Sequence, residues 1–338
     1  MTRSPVKLAL LTAGRELADL RGLEIGPRDA PLVPRSAGHV LYADHADTET
    51  LRRSLPCRKI DAASLVEIDL VTGGGSLAEI APHRFDYIIA SHVAEHVPDL
   101  LGWLADLYAA LSPGGTLGLA IPDRRFTFDR FRKDSVIAEA VEAQLLRLRQ
   151  PSLRQVFDSC WQAADISVQQ GWHNIVPVTA DRAHRLARLV PARALVSDLH
   201  QRPRYNDAHC WVFTPHAFLD FIEEACHARL FDFHLQAFYG TPSGSYEFYV
   251  VLRHPAPGEA CEPLSAIATA RAALAQSSAE IEFAMAHPTL EETRLRAENA
   301  ELRQMLEARS AALRQIQSAT LWRLTAPIRR CVDMLRGH

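Results

Sequence analysis

The sequence predicts an α/β fold: a seven-stranded, mostly parallel sheet closed by a C-terminal antiparallel hairpin, with a helical insertion after strand 5 and a C-terminal coiled-coil helix. Three observations lead there. Short apolar runs alternate with helical segments as far as Ile121. That rhythm breaks over residues 124–205, which read as helical throughout. A heptad pattern begins at Leu295.

Residues 5–20 read as a helix leading into the first strand. Strand-like runs follow at Gly22–Ile25, His39–Ala43, Ser64–Leu70, Phe85–Ala90 and Thr116–Ile121. Between the last two, Leu100, Leu101, Leu104, Leu107 and Leu111 recur at helical spacing over Pro98–Leu111. Ser112-Pro113-Gly114-Gly115 then stops the helix. Strand alternating with helix implies a parallel sheet with right-handed crossovers. Residues 124–205, punctuated by Pro151, Pro177 and Pro191, read as an insertion or lid. Thr214-Pro215 opens a further helix, and Phe231–Tyr239 and Tyr246–Leu252 read as the two arms of a hairpin.

These elements divide the chain into a domain over 1–254, a linker over 255–289 and a tail over 290–338. In the tail, Leu295, Leu302, Arg309 and Ile316 share one heptad position, and Asn299, Leu306 and Leu313 the other. An Asn in an apolar seam fixes register, so a homodimer through residues 290–318 is expected.

The net charge of −3 disfavours a nucleic-acid partner, since phosphate neutralisation calls for a basic surplus. The apolar run Leu8–Leu11 is too short for a signal-peptide core. No stretch approaches the length of a membrane span. Six cysteines without a C-x-x-C pair suit reduced thiols rather than a zinc site. A cytoplasmic protein with no metal centre is therefore expected. Trp322 and the arginines around it suit contact with a membrane face or with a docking partner.

The strongest local signal is Leu23-Glu24-Ile25-Gly26-Pro27, a strand ending in an acid and a glycine turn. Twenty residues after Glu24, the second strand ends in Asp44, placed to accept from both hydroxyls of a ribose. A pyrophosphate would need further glycines, but Arg28 and Asp29 follow Gly26. A nucleoside without phosphates fits better, which disfavours an NAD-dependent oxidoreductase.

The run Gly22–Asp123 resembles class I S-adenosylmethionine-dependent methyltransferases of the type 11 domain, which have a Rossmann-like fold. The matching pieces are Glu24-Ile25-Gly26, Asp44, Ile68-Asp69-Leu70, Phe85–His96 and Leu111–Gly115. Ile121–Asp129 resembles a bacterial subgroup associated with cell-surface polysaccharide synthesis, and Thr320–Arg329 resembles tails of glycosyltransferases of similar pathways. The resemblance implies S-adenosylmethionine as cofactor. It implies Glu24 and Gly26 at the methionine end, Asp44 at the ribose, Asp69 and Leu70 about the adenine, and Ser91 and His92 beneath the sulfonium. A second glycine usually stands where this chain has Arg28.

The implied reaction is O-methylation of a sugar or surface-glycan precursor, with a glycosyltransferase or the inner membrane face as the tail's partner. A hydroxyl acceptor calls for a base, and histidine titrates near neutrality. His209, with Asp207 two residues away to orient it, is favoured, and His92 is a further catalytic candidate. His96 reads as structural. The basic cluster Arg124, Arg125, Arg130, Arg132 and Lys133 is placed to attract an anionic acceptor. The alternative reading is an inactive methyltransferase-fold scaffold that assembles glycan enzymes through its coiled coil.

Overall fold

Strands β1 (Arg21–Ile25), β2 (His39–Asp44), β3 (Leu70–Val71), β4 (Phe85–Ser91), β5 (Leu111–Pro122), β6 (His234–Tyr239) and β7 (Glu247–Arg253) form one sheet. Their order is β3-β2-β1-β4-β5-β7-β6. β1 to β5 are mutually parallel, and β7 runs antiparallel to both of its neighbours. The helices are α1 (Pro5–Thr12), α2 (Thr48–Ser54), α3 (Leu77–Ile80), α4 (Leu100–Ala110), α5 (Ile137–Leu145), α6 (Leu153–Trp161), α7 (Val168–His173), α8 (Val178–Gln201), α9 (Pro215–His227) and α10 (Pro263–Ala275). This computed structural model describes residues 5–54, 64–173, 178–259, 263–277, 279–280, 302–303, 305–307 and 309–311.

β1 and β4 are buried almost continuously, as strands covered on both faces must be. On one face α4 buries Leu100, Leu101, Leu104 and Leu107, and α9 buries Phe218, Leu219, Phe221 and Ile222. Each helix has a side-chain cap. Asp99 accepts from the Gly102 N–H at 2.8 Å, and Thr214 from the Ala217 N–H at 3.2 Å. On the other face Leu11 of α1 packs with Val40, Tyr42, Tyr87 and Ile89. The helix lies so close that a Cβ on Gly118 of β5 would fall 2.1 Å from the Leu11 carbonyl oxygen.

The sheet and hairpin are as the sequence reads them, but three elements differ. The first helix stops at Thr12, where Ala13 and Gly14 turn to left-handed φ of 49° and 73°. The third strand shrinks to Leu70–Val71. The N–H groups of Val66 and Ile68 bond instead to the Arg28 carbonyl (3.0 Å) and the Thr48 hydroxyl (2.9 Å), so this stretch lacks the ladder to β2. Residues 263–275, expected as linker, form a helix that buries Ile267 and Leu274 in the main core. Two bonds from Arg271, to Asp220 and Glu223 of α9, fasten it. This helix thus belongs to the same compact unit as the sheet.

The insertion contains α5 to α8, and its two ends are held together. Asp123 bridges Phe213. Arg124 N–H donates to the Phe213 carbonyl (3.0 Å), and Ser135 and Val212 exchange two bonds. The second unit, 287–338, is described only in part. Its described residues between 302 and 311 are helical, with Leu302, Met305 and Leu306 exposed. Arg309 is described as well and is exposed, whereas Leu295, Asn299, Leu313, Ile316 and Trp322 lie outside the described residues. Among the described residues no helix is long and apolar enough to cross a membrane.

Candidate active site

A cavity of about 880 Å³ opens at the C-terminal ends of β1, β2, β3 and β4. Ligands of open parallel sheets bind at such strand ends. Its volume is near the top of the range for small-molecule sites, about 300–1,000 Å³, with room for a cofactor and an acceptor together.

One wall comes from the first β-α-β unit. Gly26 sits in the turn after β1 with φ of 68°, and a Cβ there would lie 2.9 Å from Val93. Arg28 also lines the wall and keeps a left-handed φ of 52°, so its backbone has the conformation that a glycine would favour. Asp44 ends β2 with its carboxylate mostly buried. Its Oδ1 accepts from the His45 backbone (2.7 Å) and from His45 Nδ1 (2.5 Å). That bond to Asp44, more than burial opposes it, holds the His45 pKa above its ordinary value. The turn Thr72–Ser76 and Leu77 form the next stretch of wall.

The remaining positions read from sequence lie elsewhere. Glu24 accepts from the N–H groups of Leu32 (2.7 Å) and Val33 (2.9 Å), which holds the loop after Gly26 closed. Asp69 accepts from Tyr42 N–H (2.8 Å) and pairs with Arg35 (2.7 Å). Glu24, Asp69, Leu70 and Ser91 are not among the residues lining the cavity, whereas Gly26, Asp44, His92 and Asp207 are.

The opposite end of the cavity carries histidines. His92 follows β4, with a left-handed φ of 55°. Burial would lower its pKa, but a 2.6 Å hydrogen bond to Glu247 and the nearby Glu95 carboxylate lift it to about 9. His92 is therefore a cation at neutral pH, poorly suited to accept a proton. Glu247 went unnoticed in the sequence, although an acid at the head of the apolar run Phe248–Leu252 was the signal.

Asp207 orients His96, not His209: His96 Nδ1 donates to Asp207 Oδ1 at 2.8 Å. The partner of His209 is Asp129, 80 residues earlier, with Nδ1 to Oδ2 at 2.5 Å. Arg132 completes this knot, donating to Asp129 (2.9 Å) and to the His209 carbonyl (2.7 Å). Burial pushes the Asp129 carboxyl up, but His209 and Arg132 together bring it below the ordinary value. The two imidazoles meet edge to face with centroids 4.7 Å apart. His96 lines the cavity and His209 stands behind it. Cys210, next in the chain, is buried, which raises its thiol to about 12 and leaves it unreactive.

In the basic cluster after β5, Arg124, Arg125 and Arg132 are paired with carboxylates of the same chain. Arg124 makes a two-pronged pair with Asp134 at 2.7 Å, and Arg125 pairs with Asp123 and Glu280 at 2.6 Å each. Arg28, Arg147 and Arg149 are the arginines that line the cavity.

The strand order, the glycine turn and the acid ending β2 define an α/β protein that takes a nucleoside-bearing ligand. More narrowly, the chain belongs to the methyltransferase-domain family, whose model matches residues 8–225. Its cofactor is S-adenosylmethionine. No curated protein matches the chain. Among solved structures, the CurJ carbon methyltransferase is 13% identical, with 72% of this chain and 50% of that one covered and a TM-score of 0.34. The CcbJ methyltransferase from Streptomyces caelestis is 13% identical over 36% of this chain and 53% of its own, with a TM-score of 0.26. The trans-methyltransferase CalH, in complex with SAH, is 15% identical over 75% and 55%, with a TM-score of 0.34. The chain thus spans about half the length of these structures, and matches at this level carry no argument about its activity.

The residues present fit the cofactor. Asp44, at the end of β2 on the cavity wall, would hold the ribose hydroxyls through its carboxylate. The turn at Gly26 leaves its backbone bare for the amino-acid end, and Leu51, Leu77 and Val93 give apolar surface to an aromatic base. When bound, S-adenosylmethionine supplies a methyl group already activated on a positively charged sulfur.

Proposed function

We propose that the chain methylates a hydroxyl of a sugar or surface-glycan precursor, with the acceptor held and activated at the His96–Asp207 pair. The observation that carries this reading is that one cavity holds Gly26 and Asp44 on one wall and the His96–Asp207 pair on another. The chain's part in methyl transfer is to align acceptor oxygen with methyl carbon and to exclude water, which supplies several kcal/mol. His96, oriented by Asp207, stands where the acceptor hydroxyl loses its proton, and Asp129 and Arg132 fix His209 behind it. Asp99, Tyr205 and Arg147 add polar groups to the lining, which suits a polyhydroxylated acceptor.

The test is turnover of isotopically labelled S-adenosylmethionine against a panel of sugar nucleotides and glycans. His96→Gln should lower kcat by about 10²–10⁴-fold while cofactor binding persists. Failure of every hydroxylated acceptor, or an undiminished rate in the variant, would remove the reading.

The tail belongs to the same proposal as a homodimer contact through residues 290–318, or as the point of attachment to a glycosyltransferase or the inner membrane face. Sedimentation of the full chain against one ending at Ala286 tests the dimer, and monomers in both samples would exclude it. A cytoplasmic setting belongs to the same proposal, and the thiols of Cys160 and Cys210 support it.

A further inference from the structure

We propose that Glu95, His96 and His209 form a binding site for a divalent transition-metal ion of the zinc class at the acceptor end of the cavity. One ligand atom from each residue lies within 4.8 Å of the others. This deepens the methyl-transfer reading, and rests on it only for what the ion does; binding stands by itself.

The first argument is Glu95. Its side chain is 2% exposed, and neither carboxylate oxygen has a hydrogen-bond partner among the described residues. The protonated His92, with Nδ1 3.3 Å from Oε1, gives it an ionic neighbour on one side, while Oε2 has no hydrogen-bond partner among the described residues. Burying a carboxylate with its lone pairs unmet is costly, and buried carboxylates are ordinarily paired, hydrogen-bonded or bound to metal. Glu95 is clustered with His96 and His209.

The second argument is the state of the two histidines. Each has Nδ1 tied to a carboxylate, His96 to Asp207 at 2.8 Å and His209 to Asp129 at 2.5 Å. A ring anchored this way ligates through Nε2, and a carboxylate on the far nitrogen is the usual support of a metal-bound histidine. Two independent carboxylate–histidine pairs converging on a third carboxylate are more than one general base needs.

The ligand set, two imidazoles and a carboxylate, is that of zinc sites that keep an open position. The open position would face the cavity, because His96 lines it. Bonds of about 2.0–2.2 Å require the ligands to close in slightly, and rotation of the partly exposed His96 accommodates that. With the ion bound, the Nε2 lone pair of His96 would be taken by the metal, so the ion, in place of His96 as base, would draw in and acidify the acceptor hydroxyl, whose proton would leave to solvent. The missing cysteine pairs say nothing against the site, because no sulfur ligand is involved.

The experiment is calorimetric titration of chelator-stripped, full-length protein with Zn²⁺, with Co²⁺ absorption as a second readout of the ligand field. The wild type should take up one ion per chain. His96→Gln and Glu95→Gln should lose that binding, and Asp129→Asn and Asp207→Asn should weaken it by about 10–100-fold. Because His96 is partly exposed, its variant decides the matter if Glu95→Gln does not fold. Lack of stoichiometric uptake by the wild type, or uptake unchanged in the variants, overturns the site. Cofactor binding measured on the same samples separates the two readings. Cofactor without metal ends the metal site alone, whereas metal without cofactor ends the methyl-transfer reading alone.

Discussion

Lys7 of α1 donates from Nζ to Glu247 Oε2 of β7 at 2.6 Å, although 240 residues separate them. His92 donates to the same oxygen at 2.6 Å, and Tyr249 to Oε1 at 2.9 Å. One carboxylate thus ties the first helix, the end of β4 and the last strand together. Burial works against its charge, but His92 and Lys7 hold its pKa down to about 2. A depressed carboxylate stabilises the fold above its unfolded pKa, near 4.5, and the contribution is lost as pH falls toward 2. Its size is on the order of 2–3 kcal/mol. Denaturant unfolding at pH 7, 4.5 and 3 should show wild type converging on Glu247→Gln at the acid end; curves that stay parallel would contradict this.

Asp44→Ala should weaken S-adenosylmethionine binding by about 10–100-fold, the loss expected for charge-assisted hydrogen bonds to the ribose. Calorimetry reads it directly. Unaltered affinity would mean that the carboxylate serves His45 alone.

Arg28→Gly should raise stability by about 0.5–1 kcal/mol, since the wild-type backbone already has a left-handed φ of 52°. Arg28→Ala should give no such gain, because it keeps the strain. Equal effects of the two in chemical denaturation would place the cause in the side chain instead.

Arg125→Ala should cost about 3–5 kcal/mol. It strips Asp123, which is fully buried, of a two-pronged cation and leaves it the Thr241 hydroxyl at 2.7 Å and the backbone N–H of residue 125 at 3.0 Å. A shift in the denaturation midpoint corresponding to less than about 1 kcal/mol would show that the pair is replaceable.

Most of the sheet could be read from the residues because each strand carries its own apolar run and stop. The exception, residues 64–70, is instructive. Its composition suits a strand, but Thr48 and Arg28 compete for its backbone donors, and such competition leaves no trace in local pattern. Gly26 and Asp44 were legible because they sit at strand ends, where sequence position and spatial position coincide. The acceptor end was not. Asp207 is two residues from His209 in the chain yet turns to His96, while His209 turns to Asp129 across 80 residues. Proximity in sequence does not choose the partner here: an extended segment would leave residues i and i+2 on one face, yet each of these two side chains is claimed by a residue far away in the chain. The role of α10 was hidden likewise, since Ile267 and Leu274 count as core only once α9 and β6 lie beneath them.

The stapled ends of the insertion bear on how such a protein diversifies. Because Asp123 lies beside Phe213 and Ser135 beside Val212, the long excursion leaves the sheet and returns to it at nearly one point. For the sheet it has no span to bridge, and lengthening it costs only slowly growing closure entropy. Tyr205, Asp207, Arg147 and Arg149, which wall the acceptor end, all lie within that loop. Gly26 and Asp44 lie outside it. The insertion is therefore an exchangeable cassette on a constant base: it can be rewritten without moving the strand ends that carry Gly26 and Asp44, and it meets them through the stack of Tyr205 on His45.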